Sequence, residues 1–191
     1  MKQKSIPIDT LIVGAGQASI AMSEHLSRHG VQHVVLERNG IAQNWRSARW
    51  DSLVTNGPAW HDRFPGLEFS STPDGFPAKD EVADYLQSYA QKINAPIHTG
   101  VEVQRVTRNT GHSGFQVATG AFQVPVIPAI APQNPDLLQM HSSHYRNPAQ
   151  LPAGAVLVVG AGSSGVQIAD ELQQAGKQVY LSVGAHDRPP R

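Results

Sequence analysis

At 191 residues and 20.6 kDa, the chain is long enough for one full domain or two incomplete ones. Lys+Arg 15 offset Asp+Glu 15, so no global field draws the protein to nucleic acid or to an anionic membrane. The lack of cysteine removes disulfide staples, thiolate metal sites and a Cys-x-x-Cys redox pair, and it fits a cytoplasmic protein.

Lys2 and Lys4 precede the apolar stretch Leu11 to Met22 as they would in an export signal. Gly14, Gly16, Gln17 and Ser19 interrupt that stretch, and a buried strand turning into a helix accounts for the same residues. No apolar run reaches the ~18 residues that cross a bilayer. Thr10 to Val13 predicts a strand, Gly14-Ala15-Gly16 a turn, and Ala18 to His29 a helix with Ile20, Met22 and Leu26 on its apolar face. Gly30 stands where a C-cap glycine belongs. Val31 to Leu36 predicts the next strand, with Glu37 at its end. Gly40 to Pro77 reads mostly as a long loop, a feature that is usually functional or else mobile. Val82, Tyr85, Leu86, Tyr89 and Ile93 then mark one face of an amphipathic helix that Asn94 and Pro96 stop. Short strands follow at 97–107 and 115–117. Pro125, Pro128, Pro132 and Pro135 exclude a central strand or a helix and read as a linker. Ala155 to Val159 predicts a strand, Gly160 to Gly165 a turn, Val166 to Ala175 a helix capped by Gly176, and Val179 to Val183 a last strand.

This order predicts an α/β fold of two Rossmann-like dinucleotide-binding units. The first spans 1–124, a Pro-rich linker spans 125–150, and a partial second unit spans 151–191. Each unit carries a glycine turn between a strand and a helix. The second, Gly160-Ala161-Gly162-Ser163-Ser164-Gly165, is a complete G-x-G-x-x-G; the first, Gly14-Ala15-Gly16-Gln17-Ala18-Ser19, ends in serine. The first glycine of each permits a tight turn, and the second lets the backbone approach a pyrophosphate. The helix-start amides, at Gln17 and Ala18 in one unit and Ser163 and Ser164 in the other, face that anion. Such turns also serve packing alone. Glu37 stands where a carboxylate accepts hydrogen bonds from an adenosine ribose. The equivalent place in the second unit is Val183, with no acid before Asp187. Ser182 and Arg188 suit a ribose 2′-phosphate there, hence NADPH over NADH, although the same basic tail also reads as a solvated end. His141 and His144 lack a third ligand at metal spacing, so no metal is expected.

An ordered set of segments carries a resemblance. Gly14-Ala15-Gly16 with Glu37-Arg38 is followed by Asn44-Trp45-Arg46, Arg49-Trp50-Asp51-Ser52-Leu53 and Thr55-Asn56. Phe76-Pro77, Ala118-Thr119-Gly120, His141 to Tyr145 and Gly160 to Gly165 complete it. The set resembles the class B flavin-containing monooxygenases and their bacterial flavoprotein relatives. The resemblance implies FAD held by Gly14, Gly16, Glu37, Arg38, Trp45 and Thr119, with Asn56 as the catalytic residue beside the isoalloxazine. It implies NADPH on the second glycine turn, and dioxygen and a small-molecule substrate as reactants. His141-x-x-x-Tyr145 matches only the end of the family fingerprint, since Pro135 and Leu137 replace the expected phenylalanine and glycine; this weakens a Baeyer–Villiger assignment. Family members are longer, so a chain ending at Arg191 reads as truncated, and a hairpin ahead of Ala118 reads as deleted. Two alternatives stay open: an NADPH-dependent flavin reductase with another acceptor, and a nucleotide-binding remnant without turnover.

Overall fold

The computed structural model describes residues 8–109, 114–118 and 137–184. Thr119, the four linker prolines and Arg188 lie outside the described residues.

Strand β1 (Thr10–Val13) runs through the first glycine turn into helix α1 (Gln17–Arg28), and β2 (His33–Glu37) returns parallel to β1. The strand starts later than the sequence predicts because Val31 closes the helix. Its amide donates to the Leu26 carbonyl at 3.0 Å, while Gly30, at φ +67°, turns the chain out of the helix. Strand β3 (Ile97–Thr99) adds parallel to β2, giving the order β1-β2-β3.

The 40–77 segment is not all loop. It holds α2 (Gln43–Ser47) and α3 (Ala59–Asp62). Helix α2 begins after Ala42, whose left-handed backbone is fixed from outside: its amide donates to the Ala15 carbonyl at 2.9 Å. Helix α4 (Lys79–Lys92) buries Val82, Ala83, Tyr85, Leu86, Tyr89 and Ala90, the face that the sequence predicts. Ile20 of α1 and Ala42 pack into the same core. The chain at 64–69 lies over α4 through its tyrosines. The Tyr85 hydroxyl accepts from the Phe64 amide at 2.5 Å and donates to the Leu67 carbonyl at 3.0 Å, while Phe69 stacks on the Tyr85 ring at 3.9 Å. Burial, with Glu24 adding to it, pushes the Tyr89 phenol up to about 12.

Gly100, at φ +73°, ends β3 and separates it from β4 (Arg105–Arg108). Strand β4 pairs antiparallel with β5 (Phe115–Ala118), Val106 opposite Val117. This pair is formed by the short strands that the sequence predicts within 97–107 and at 115–117. The Arg108 guanidinium lies over the Phe115 ring at 5.9 Å and ties the two strands at their turn end.

The second unit has β6 (Val156–Val159), α5 (Ser163–Gln174) and β7 (Val179–Ser182), with Leu157 opposite Tyr180 in a parallel pair. Helix α5 covers one face of this two-stranded sheet. The other face leaves Leu157 62% and Val159 77% exposed, as expected of an incomplete layer. Trp50 and Leu53 from the first unit, Tyr145, and Ile168 and Leu172 from α5 form one apolar cluster that joins the units.

Candidate functional site

Both glycine turns connect a strand end to a 12-residue helix. Gly14 and Gly160 take φ of +91° and +104°, which side chains resist. Gly165 serves packing: a Cβ there would stand 1.9 Å from the Gly160 carbonyl oxygen, so α5 approaches β6 only with glycine at that place. Gly16 and Gly162 are different. Each is the N-cap of its helix with ordinary extended backbone, φ −92° and −70°, and a Cβ at either would meet nothing within 4 Å. Neither helix has a side-chain cap or an acidic residue in its first turn. The protein's own packing gives no reason for glycine at these two positions. Open space in front of free helix-start amides is what a phosphate requires.

Glu37 folds back on the first turn. Its Oε2 accepts from the Ala15 amide at 2.7 Å and its Oε1 from the Asn39 amide at 2.8 Å. The carboxylate thus braces the turn and keeps lone pairs for a further donor. Exposed Arg38 follows it.

A cavity of about 370 Å³ lies between the two turns. Gln17 of α1 and Ser163 and Ser164 of α5 share its wall with Trp45 and Asn56, so five of the sequence-predicted residues meet there. Ala18, Glu37, Arg38 and the glycines Gly14, Gly16, Gly160, Gly162 and Gly165 are not in that wall; Thr119 and Arg188 fall outside the described residues. The Arg49 guanidinium lies over the Trp45 ring at 5.7 Å, and both line the cavity.

The turn that carries Asn56 is pinned on each side. Thr55 Oγ1 donates to the Gly57 carbonyl at 2.7 Å, and the Gly57 amide donates to Asp62 Oδ2 at 3.1 Å. Asp62 Oδ1 in turn pairs with His61 Nδ1 at 2.7 Å. A Cβ on Gly57 would stand 2.6 Å from Asp62 Oδ1 and 2.8 Å from His61 Nδ1, so a larger residue there would push these side chains aside. Asp62 and Gln167 also line the cavity. The sequence reading missed both, since neither belongs to a motif.

Two buried polar atoms of the wall residues have no hydrogen-bond partner among the described residues: Trp50 Nε1, a donor, and Gln167 Oε1, an acceptor. Trp50 is only 2% exposed, so its N–H is a costly orphan. Both residues line the cavity, while the two atoms themselves are closed off from solvent.

The segment 141–151 fastens the second unit to the first. Asn147 Nδ2 donates to Asp51 Oδ2 at 3.0 Å, Lys79 Nζ donates to Asp51 Oδ1 at 3.0 Å, and an Arg146 guanidinium nitrogen donates to the Ser47 carbonyl at 2.8 Å. The Asn147 amide, and then the Lys79 ammonium, hold the Asp51 carboxyl below the usual carboxylate range. The Tyr145 hydroxyl donates to Glu171 Oε2 at 2.8 Å; burial, reinforced by Glu171, pushes this phenol up. His141 Nδ1 lies 2.9 Å from Ser143 Oγ, and among the described residues no three His, Cys, Asp or Glu side chains gather as metal ligands would. No helix among the described residues is long and apolar enough to cross a membrane.

The family model for pyridine nucleotide-disulphide oxidoreductases matches residues 11–189. An uncharacterized CzcO-like oxidoreductase of Geobacillus kaustophilus is 44% identical, covering 93% of this chain and 54% of that protein. The probable indole-3-pyruvate monooxygenase YUCCA1 of Arabidopsis thaliana is 31% identical, covering 91% of this chain and 46% of that protein. Among solved structures, a flavin-containing monooxygenase from Stenotrophomonas maltophilia superposes with a TM-score of 0.71 at 26% identity, covering 94% of this chain and 58% of that one. The chain spans about half the length of the curated relatives it matches.

Proposed function

The chain belongs to the pyridine nucleotide-disulphide oxidoreductase family, and on that premise we propose that it is the cofactor-binding part of a flavoprotein monooxygenase using FAD, NADPH and dioxygen on a small molecule. One observation carries the proposal: Gly16 and Gly162, which packing does not require, open two helix starts whose neighbours Gln17, Ser163 and Ser164 share one cavity. Two dinucleotide cradles around one cavity suit electron transfer between two cofactors. The relatives named as monooxygenases point the same way.

When bound, the two cofactors supply hydride transfer and dioxygen activation; the residues supply position and exclusion of water. FAD is assigned to 1–124 and NADPH to 151–191, with 125–150 as the link. In the first unit Gly14 and Gly16 leave room for the pyrophosphate, the Gln17 and Ala18 amides donate to it, and Glu37 accepts from the ribose. Arg38, Trp45 and Thr119 add contacts around the flavin dinucleotide. In the second, Gly160, Gly162 and Gly165 shape the turn, Ser163 and Ser164 donate amides, and Arg188 pairs with the 2′-phosphate. Asn56 offers an amide that donates or accepts without titrating. Cysteine is missing from this sequence, so these residues supply no redox dithiol; that same absence supports a cytoplasmic setting.

The test is purification of the chain with added FAD, followed by anaerobic NADPH and then oxygen. A yellow protein that NADPH bleaches and oxygen restores supports the proposal. Bleaching without oxygen consumption leaves the reductase, and a colourless, folded protein leaves the remnant.

A further inference from the structure

Asn56 is the side chain that the proposed function sets beside the reacting rings, yet its own turn does not decide which end of its amide faces the cavity. The bonds of Thr55, Gly57 and Asp62 fix the backbone of that turn and leave the Asn56 side chain to another partner. An amide rotated by half a turn fills the same space with donor and acceptor exchanged, so a hydrogen-bond partner must choose between the two orientations.

That partner is Gln167, on α5. Its Nε2 donates to Asn56 Oδ1 at 3.3 Å and to the Val54 carbonyl at 3.3 Å. The Val54 carbonyl can only accept, so it dictates that Gln167 presents nitrogen here. Nitrogen at Gln167 then claims the oxygen of Asn56. The polarity passes from a main-chain group that cannot invert, through one side chain, to the next. The arrangement leaves Gln167 Oε1 buried without a partner among the described residues, a placement that an apolar residue of similar size would avoid. Ile168 and Leu172 of the same helix pack with Trp50 and Leu53, which keeps α5 from shifting against this turn.

We infer that Gln167 is a positioning residue: by holding Asn56 Oδ1 it leaves both Nδ2 hydrogens of Asn56 for an acceptor in the cavity. This rests on the proposed function. It also makes the helix of the second glycine turn the one that sets the donor beside the first cofactor.

The experiment is a double-mutant cycle between Gln167→Leu and Asn56→Ala, read in two ways. Without cofactor, the side-chain amide NMR resonances of Asn56, identified by their loss in Asn56→Ala, should move in Gln167→Leu. With FAD bound, anaerobic bleaching by NADPH should slow by about tenfold in Gln167→Leu. Gln167→Leu should add nothing in the Asn56→Ala background. Gln167→Glu, which can only accept, should reverse the Asn56 amide and slow bleaching at least as much. Should Gln167→Leu not fold, Gln167→Met replaces it. Unmoved Asn56 resonances would overturn the inference, and so would slowing that persists in the Asn56→Ala background. If the wild type binds no FAD, the proposed function fails by itself, and the resonances still decide whether Gln167 holds Asn56.

Discussion

Gly16→Val isolates the reason for glycine at a helix start. The backbone there, φ −92° and ψ −174°, is extended and suits valine, and a Cβ meets nothing within 4 Å. Restricting the unfolded chain stabilises by about 0.4–1 kcal/mol. Replacing a tolerable N-cap by a branched apolar one costs about 0.5–1 kcal/mol. These offset each other, so stability without ligand should stay within about 0.5 kcal/mol, or about 2 °C in Tm for a chain of this size. FAD at 100 times its Kd should add about 2.7 kcal/mol to the wild type, roughly 5–10 °C. In the variant that increment should vanish, because the side chain stands before the Gln17 and Ala18 amides. Thermal denaturation at fixed protein concentration, with and without FAD, reads both effects. A variant that keeps the FAD shift refutes the reasoning. So does a variant whose ligand-free Tm drops by many degrees, since packing would then have required the glycine. A wild type with no shift refutes the cofactor itself.

Gly165→Ala should do the opposite, lowering ligand-free stability by about 1–3 kcal/mol because its Cβ meets a backbone carbonyl at 1.9 Å; a denaturant midpoint close to wild type would show that α5 shifts freely. Leu86→Ala, at a site 2% exposed in the α4 core, should cost about 2–5 kcal/mol by the same measurement, and a smaller loss would mean that the 64–69 chain collapses onto the gap. Asp51 is held below the usual carboxylate range by Asn147 and then Lys79, so its contribution is whole above about pH 4 and fades as pH falls through its folded value. The destabilisation caused by Asn147→Ala should therefore be larger at about pH 6 than in strong acid; a difference independent of pH would show that ionised Asp51 plays no part.

What the sequence made legible was local. The strand, glycine turn and helix of each unit are consecutive residues, and the buried face of α4 follows the helical period residue by residue. What stayed hidden depends on residues far apart in the chain. Nothing near Ala42 announces a helix, because the Ala15 carbonyl holds its left-handed backbone from another element. Val31 looks like a strand residue by type, yet its amide completes the end of α1. In the site, Asn56-Gly57 carries only a turn signal, and the resemblance rather than the pattern singled out Asn56. Trp50 reads as a core aromatic and its ring is one; only the fold reveals an indole N–H buried without a partner.

Gln167 shows why such residues escape periodicity. On α5 the apolar positions Ile168 and Leu172 mark the buried stripe, and a glutamine beside them looks like part of a solvated flank. Its surroundings change because Trp50 and Leu53 arrive against that stripe from the other unit, bringing Val54 and Asn56 within reach. The contact that joins the units is thus the one that builds the wall of the cavity. A change at Leu53 or Ile168 would move that wall without touching a glycine turn, so each cradle would keep its local shape while the two lost register. Electron transfer between two bound rings depends on that register, which makes the apolar cluster between the units part of the site in physical terms, although every side chain in it reads as ordinary core.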